Sequence, residues 1–268
     1  MGVSRAALPL STPPLFPPSR TGKRPRGIGR VPEYVRSLEP ESLAAPKGIL
    51  SLGAFRATIR PLDMNEETID LGIVIVSYNT RDLLRTCLKT VYGSQGDFSY
   101  QVCVVDNHSN DRSAEMVAEK FPQTLLIANQ TNRGYPTANN QGLRAFGYPE
   151  RADAPRFALL LNPDTELPPR GLADMVAFME RRPEVGVAGP RLELVDGSLD
   201  LACRRAFPSP LVSFYRLTGL SKLFPRSRRF GRYNLTYLDP SEMTEVDSVV
   251  GAFMMLRREV IQQVGLMD

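Results

Sequence analysis

Residues 71–76 read LGIVIV, an apolar run with no polar residue at alternate positions. A strand with one wet face alternates apolar and polar side chains, whereas a run apolar at successive positions must bury both faces. That demand selects a parallel sheet covered by helices on each side. Similar runs recur at 102–105, at 124–128 and at 157–161 (FALLL), with a shorter one at 185–188. Between them, apolar residues fall at helical spacing. In 80–91 these are Leu83, Leu84, Cys87, Leu88 and Val91, and helices also fit 114–121, 137–146 and 171–181. Strands alternating with helices in short units predict βαβ crossovers, hence an α/β fold with a mostly parallel sheet and helices on both faces.

The pattern starts only after Met64. Up to Val31 the chain has no acidic residue, carries Arg5, Arg20, Lys23, Arg24, Arg26 and Arg30, and is broken by Pro9, Pro13, Pro14, Pro17, Pro18 and Pro25. Proline at that density removes backbone donors and fixes φ, so no packed helix or strand is expected there. Residues 1–63 are expected to be a disordered Pro/Arg-rich extension, with a transit peptide or a start codon set too far upstream as alternatives, and 64–268 the folded domain. With 42% hydrophobic and 23% charged residues, the chain can bury a core. It has no apolar run of about 18 residues, so no membrane-spanning helix is expected. Cys87, Cys103 and Cys203 are too scattered for a disulfide framework or a CxxC zinc site and read as reduced core residues. His108 is the single histidine, which excludes a His-rich metal centre; it reads as a loop residue.

In an open parallel sheet the strands end on one edge, and ligands lie in the crevice beyond those ends. The first apolar run is followed by Ser77-Tyr78-Asn79 and the second by Asp106-Asn107. The third is followed by NQTNRG at 129–134 and the fourth by Asn162-Pro163-Asp164. None of these exits carries a lysine or a Walker glycine loop. Small polar and acidic groups at four successive exits point to a site. A lone carboxylate such as Asp164 suits a hard divalent cation, Mg2+ or Mn2+, held by one protein oxygen and by substrate phosphates, with Asn162 as a neutral contact. Asp106 is positioned to accept hydrogen bonds from a base or a ribose. Two plainer roles stay open: Asp106 as the cap of a helix starting near Asp111 or Ser113, and Asp164 as a turn residue after Pro163.

The runs IVIVSYNTRDLLRTCL, VCVVDNHSNDRSAEMV, NQTNRGYPTANNQG and LLLNPDTELPP resemble family 2 glycosyltransferases, more narrowly the bacterial rhamnosyltransferase-like members that build cell-surface polysaccharides. The likeness continues through VGVAGPRLELVDGSL, CRRAFPSP and VDSVVGAFMMLRREVIQQVGLMD, and so covers the chain from about Asp70 to its last residue. The resemblance implies a GT-A fold with a Rossmann-like sheet, a nucleotide-diphospho-sugar donor and transfer with inversion. Carried over by position, it puts Ser77 and Asn79 against the nucleotide and Asp106 on a pyrimidine base. It lines the donor pocket with Asn132, Arg133, Gly134 and Asn139. Asn162-Pro163-Asp164 stands where many relatives have an Asp-x-Asp motif, with Asp164 left as the metal ligand. Gly251 and Ala252 form a close-packed wall near the transferred sugar. The branch implies a rhamnosyl donor with a thymidine diphosphate handle, a saccharide or lipid-linked acceptor, and a cytoplasmic location, peripheral at the inner face of the plasma membrane.

Two departures from the family pattern stand out. Arg112 occupies a position that is usually glycine, in an exposed turn expected to tolerate it. In the family, the Gly-x-x-Asp-like ending seen here at Gly265–Asp268 leads into an aromatic stretch with a Glu-Asp pair, one acid of which is thought to deprotonate the acceptor. That pair is absent from this sequence, so no catalytic residue is assigned and Asp268 is not taken as the base. The expectation is a gene fragment or a truncated product, with apolar surface around Phe253-Met254-Met255 left uncovered. The alternative function is a noncatalytic nucleotide-sugar-binding remnant. Residues 210–224 carry Leu211, Val212, Phe214, Tyr215, Leu217, Leu220, Leu223 and Phe224 ahead of Arg226, Arg228, Arg229 and Arg232. That stretch fits either an amphipathic helix on an anionic bilayer surface or a helix packed on the core with a solvated basic turn. No recognition motif accompanies the basic residues, so nucleic acid is not an expected partner.

Overall fold

The computed structural model describes the backbone of residues 4–7 and the chain from 69 to 268. In chain order the strands and helices are β1 (Ser4–Ala7), β2 (Leu71–Ser77), α1 (Arg81–Tyr92), β3 (Tyr100–Asp106), α2 (Ser113–Lys120), β4 (Leu125–Ala128) and α3 (Tyr135–Ala145). They continue with β5 (Phe157–Leu161), β6 (Thr165–Glu166), α4 (Gly171–Arg181), β7 (Val187–Ala188), β8 (Arg191–Leu194) and β9 (Arg204–Arg205). The last are α5 (Pro210–Leu217), α6 (Leu220–Leu223), β10 (Ser248–Val249), β11 (Phe253–Arg257) and α7 (Arg258–Val264). The central sheet has the order β4-β3-β2-β5-β11-β7. Its first four strands are parallel, and β11 runs antiparallel to both β5 and β7.

The successive apolar residues do what two covered faces require. Leu71, Ile73 and Ile75 of β2, Val102 and Val104 of β3, Leu159 and Leu161 of β5, and Phe253 and Met255 of β11 enter one core with Leu84, Cys87, Leu88 and Val91 of α1 and Leu172 and Met175 of α4. The intervening Val74, Cys103, Val105, Ala158 and Leu160 enter a second core with Ala138 and Leu143 of α3 and Ile261 of α7. Period-2 geometry thus splits each run between two layers of helix. The second layer is closely spaced: a Cβ on Gly142 of α3 would overlap Cγ1 of Val74, and one on Gly72 would come within 2.9 Å of the Phe146 ring.

Four expectations need correction. First, Ser4–Ala7 forms a strand, parallel to β6 and antiparallel to β8. It lies in a proline-free run ahead of Pro9, so its donors remain available to neighbouring edges. The remainder of the proposed 1–63 extension lies outside the described residues. Second, Phe253 and Met255 are not uncovered: as part of β11 they are almost wholly buried between β5 and β7. Third, Cys203 is only partly buried, while Cys87 and Cys103 are core thiols; all three are free. Fourth, residues 210–224 are not one helix. Gly219, at φ 77°, ends α5 and starts α6. Val212 and Tyr215 are buried while Leu211, Phe214 and Leu217 are exposed, so α5 packs by one stripe and presents another.

Replacing Gly142 with valine forces its branched side chain into Val74. Overpacking of this kind destabilises by about 2 kcal/mol, so Gly142→Val is expected to lower the urea midpoint without changing the slope.

Candidate functional site

The chain order reverses beside β2: β3 and β4 lie on one side of it and β5 on the other. A crevice is expected at the carboxyl edge beside such a reversal. Because β11 is antiparallel, with Phe253 opposite Leu161, the residues before β11 arrive where those after β5 depart. This brings Ala252 to Asn162 and Thr165. The Asn162 amide donates to the Ala252 carbonyl at 3.0 Å, and Thr165 Oγ1 donates to the same oxygen at 3.2 Å.

On the β2–β3 side, two loops are stitched together. The Asn79 amide donates to Ser109 Oγ at 3.0 Å, and Asn79 Oδ1 accepts from the Asn110 amide at 2.8 Å. Asn79 itself is left-handed, at φ 53°. Asp111 holds the starts of two helices, accepting from the Arg81 amide at 2.8 Å and from the Ser113 amide and hydroxyl. Burial opposes ionisation of Asp111, but these donors outweigh it and keep the carboxyl below its usual range. Arg112, immediately before α2, sits at φ 65°, ψ 31°. The turn that glycine would make freely is therefore kept with an arginine in the left-handed region.

Asp106 is 4% exposed. Its Oδ2 accepts from the Ser109 amide at 3.0 Å, and its Oδ1 is buried with no partner. It does not cap α2, which Arg112 precedes, so that plainer role falls away. Next to it, Asn107 organises the third exit. Its Nδ2 donates to Asn132 Oδ1 at 2.7 Å, and its Oδ1 accepts from the Arg133 amide at 2.9 Å and from Asn129 Nδ2. The Gly134 amide, at φ 79°, closes on Asn132 Oδ1 at 2.9 Å. Asn129 and Gln141 exchange amide hydrogen bonds, which ties this loop to α3.

Asp164 is the second acid with an orphan oxygen: its Oδ1 is buried without a partner, and burial raises its carboxyl above the ordinary range. Asn162 accepts from the Thr165 amide and, weakly, from Cys87 Sγ. Among the described residues no group of three or more His, Cys, Asp or Glu gathers into a metal cluster. The donor set at Asp164 therefore fits a hard cation completed by substrate oxygens, and does not fit a cage made of protein ligands alone. Strands sit about 4.8 Å apart, so the exits of β3 and β5, one strand removed from each other, are about 10 Å apart.

Two expected contacts turn inward. Ser77 is fully buried with its hydroxyl paired to Thr80 Oγ1 at 2.9 Å, and buried Asn139 donates to the Tyr135 carbonyl at 2.9 Å. Both shape the loops beside the crevice. Sequence reasoning missed Tyr135, whose hydroxyl donates to the Gly251 carbonyl at 3.3 Å and would lie 3.2 Å from any Cβ placed on Gly251. It also passed over Asn107 as a network centre, although its position directly after an acid at a strand exit was the available signal. At the opposite edge of the sheet lies a basic cavity of about 390 Å³ lined by Ala152, Arg156, Phe157, Arg257, Arg258 and Glu259. Its arginines are occupied. Arg156 pairs with Asp70 and Glu180, Arg257 donates to the carbonyls of Met179, Arg182 and Val185, and Arg258 donates to those of Ala152 and Ala154.

Asp111→Ala removes a helix-capping carboxylate and is expected to cost about 1 kcal/mol at pH 7. A depressed carboxyl stabilises above its unfolded pKa, near 3.9, and that contribution is lost as pH falls through the folded value. The gap in stability between wild type and variant should therefore close below about pH 4, as read by urea titration across pH.

The family model described as Glycosyl transferase family 2 matches residues 72–265. Two curated relatives, from two strains of Mycobacterium tuberculosis, are each named N-acetylglucosaminyl-diphospho-decaprenol L-rhamnosyltransferase. Each is 28% identical over 204 residues, covering 74% of this chain and 64% of the relative. Among solved structures, the mannosyltransferase PcManGT from Pyrobaculum calidifontis, in complex with GDP-Man and Mn2+, aligns with a TM-score of 0.48 at 19% identity, over 75% of this chain and 48% of that one. TarS from S. aureus in complex with UDP-GlcNAc aligns with a TM-score of 0.37 at 21% identity, over 44% of this chain and 33% of that one.

Proposed function

Since the chain belongs to glycosyl transferase family 2, we propose that it moves a sugar from a nucleotide-diphosphate donor to a saccharide or lipid-linked acceptor, with inversion at the sugar carbon. The observation that carries this reading is the pair of buried, unpartnered carboxylate oxygens, Asp106 Oδ1 and Asp164 Oδ1, at strand exits on either side of β2. An unpaired buried carboxylate oxygen is costly, and ligand groups arriving in the crevice would satisfy both.

In this reading Asp106 accepts a hydrogen bond from the base of the donor. The loop of Asn132, Arg133 and Gly134, held by Asn107, borders the donor, and Gly251, kept bare beneath the Tyr135 hydroxyl, lets the sugar approach the backbone. Asp164 would hold a divalent cation, Mg2+ or Mn2+, beside Asn162; when bound, such a cation neutralises charge on a departing diphosphate. The acceptor hydroxyl displaces the diphosphate from the opposite face in a single step. No residue of this chain is assigned to receive its proton. The name of the relatives supports a rhamnosyl donor and an acceptor carrying a lipid-linked diphosphate. The chain spans 64% of their length, so donor, acceptor and a place at the cytoplasmic face of the membrane are proposals for this protein. So is the division into residues 1–63 and a transferase domain at 64–268.

Calorimetric titration of the full chain with thymidine diphosphate and Mn2+ tests the site. Metal-dependent binding is expected, weakened at least tenfold in Asp164→Ala; equal binding by wild type and variant would overturn the assignment. Transfer from thymidine-diphospho-rhamnose to a lipid-linked acceptor then separates the two functions. Turnover supports the transferase, and donor binding without turnover supports a noncatalytic binder.

A further inference from the structure

From residue 201 to 238 the chain has no acidic residue and carries eight cations. Within this stretch, Tyr215 and Phe230 pack edge-on at 4.9 Å, and Phe224 lies 5.6 Å from Phe230. Arg229 donates to the Tyr215 hydroxyl at 2.8 Å and Arg216 stacks over Tyr233 at 4.3 Å. Those contacts give the α5–α6 hairpin its own small core. The opposite side is left bare. Leu211, Phe214 and Leu217 recur every third residue along α5 and point outward, Leu217 being 86% exposed, while Leu223 on α6 is 68% exposed. Lys222, Arg226, Arg228 and Arg232 lie in the same stretch of chain, exposed, with no ion pair among the described residues.

We propose that the α5–α6 hairpin is an interfacial docking element that seats the protein on an anionic lipid surface. Exposed apolar side chains in one acid-free stretch with unpaired cations match a bilayer surface on both counts: hydrocarbon for the leucines and phosphate headgroups for the basic residues. Other occupants fit less well. A second copy of the hairpin would bring like charges together, and the first 31 residues of this chain are themselves acid-free and basic. Single-stranded nucleic acid would meet the charge, but this face offers bases one ring, Phe214, beside Leu211, Leu217 and Leu223. No helix among the described residues is long and apolar enough to cross a membrane, so the contact is peripheral in kind.

The hairpin is also joined to the crevice. It is inserted between β9 and β10, which pair antiparallel, Arg204 with Val249 and Arg205 with Ser248. Asp247 Oδ2 accepts from the Phe207 amide at 3.0 Å and closes the stem. Two residues past Val249 the chain reaches Gly251. Docking here would hold the crevice near the bilayer, which deepens the proposal of a lipid-linked acceptor. The surface is nevertheless tested without donor or acceptor, so either idea can fail alone.

The chain contains no tryptophan, which makes Leu217→Trp in the full-length protein a single fluorescent reporter at an exposed position. Adding phosphatidylcholine vesicles with about one-third phosphatidylglycerol should shift its emission to the blue. Pure phosphatidylcholine vesicles and single-stranded DNA should leave it unchanged. In co-sedimentation, Lys222→Glu/Arg226→Glu/Arg228→Glu should reduce the vesicle-bound fraction at least tenfold with an unchanged melting temperature. The proposal is overturned if the tryptophan does not shift with anionic vesicles, if it shifts equally with neutral ones or with DNA, or if the triple variant sediments like wild type.

Discussion

The parallel pairing of β2 with strands on both sides is the constraint on which the rest depends. Its residues from Leu71 to Ile75 are buried and paired in register with β3 on one side and β5 on the other. Nothing polar can sit along such a strand, so chemistry is displaced to its end. There the chain order reverses, with β3 on one side and β5 on the other, and the crevice lies at that edge. The antiparallel β11 then returns Gly251 and Ala252 to the same edge, against Asn162 and Thr165. One sheet rule and one reversed strand thus assemble a site from segments as far apart in the chain as Ser77 and Ala252.

Within that site, function is set against stability. Asp106 and Asp164 each keep a carboxylate oxygen buried and unpaired, which an apolar or fully bonded substitute would avoid. The surrounding loops compensate. Asn107 satisfies three neighbours on the loop ending at Gly134, Asp111 fastens two helix starts, and Tyr135 bridges to Gly251. Asp106 Oδ2 is itself held by the Ser109 amide, and one buried oxygen of each acid is left without a protein partner. The exposed α5–α6 hairpin grows from the ribbon beside Gly251, so the crevice and the proposed lipid contact share one stem.

What the sequence revealed was largely local. The span of β5 and that of α4 agree with their apolar patterns residue for residue, because a buried strand and an amphipathic helix write their periods directly into the chain. Asp106 and Asp164 were legible as acids at strand exits. Long-range pairing was not. The run Phe253-Met254-Met255 reads as bare apolar surface until β5 and β7 are placed on either side of it, and β1 is invisible without its partners β6 and β8. Side-chain direction was also hidden: Ser77 and Asn139 carry the right chemistry but spend it on Thr80 and on the Tyr135 carbonyl. Arg112 shows a further limit, since only the backbone reveals that its position demands a left-handed conformation.

The most direct test of the account is where a bound cation sits. In nitrogen-15-labelled full-length protein with thymidine diphosphate, substoichiometric Mn2+ broadens amides close to it. The account predicts selective loss of the amide signals of Asn162, Asp164, Thr165, Gly251 and Ala252 at the carboxyl edge of the sheet, with residues 156–158 and 257–259 at the opposite edge left sharp. Broadening centred on that opposite edge, or spread evenly over exposed acids, would contradict the placement of the site at Asp164.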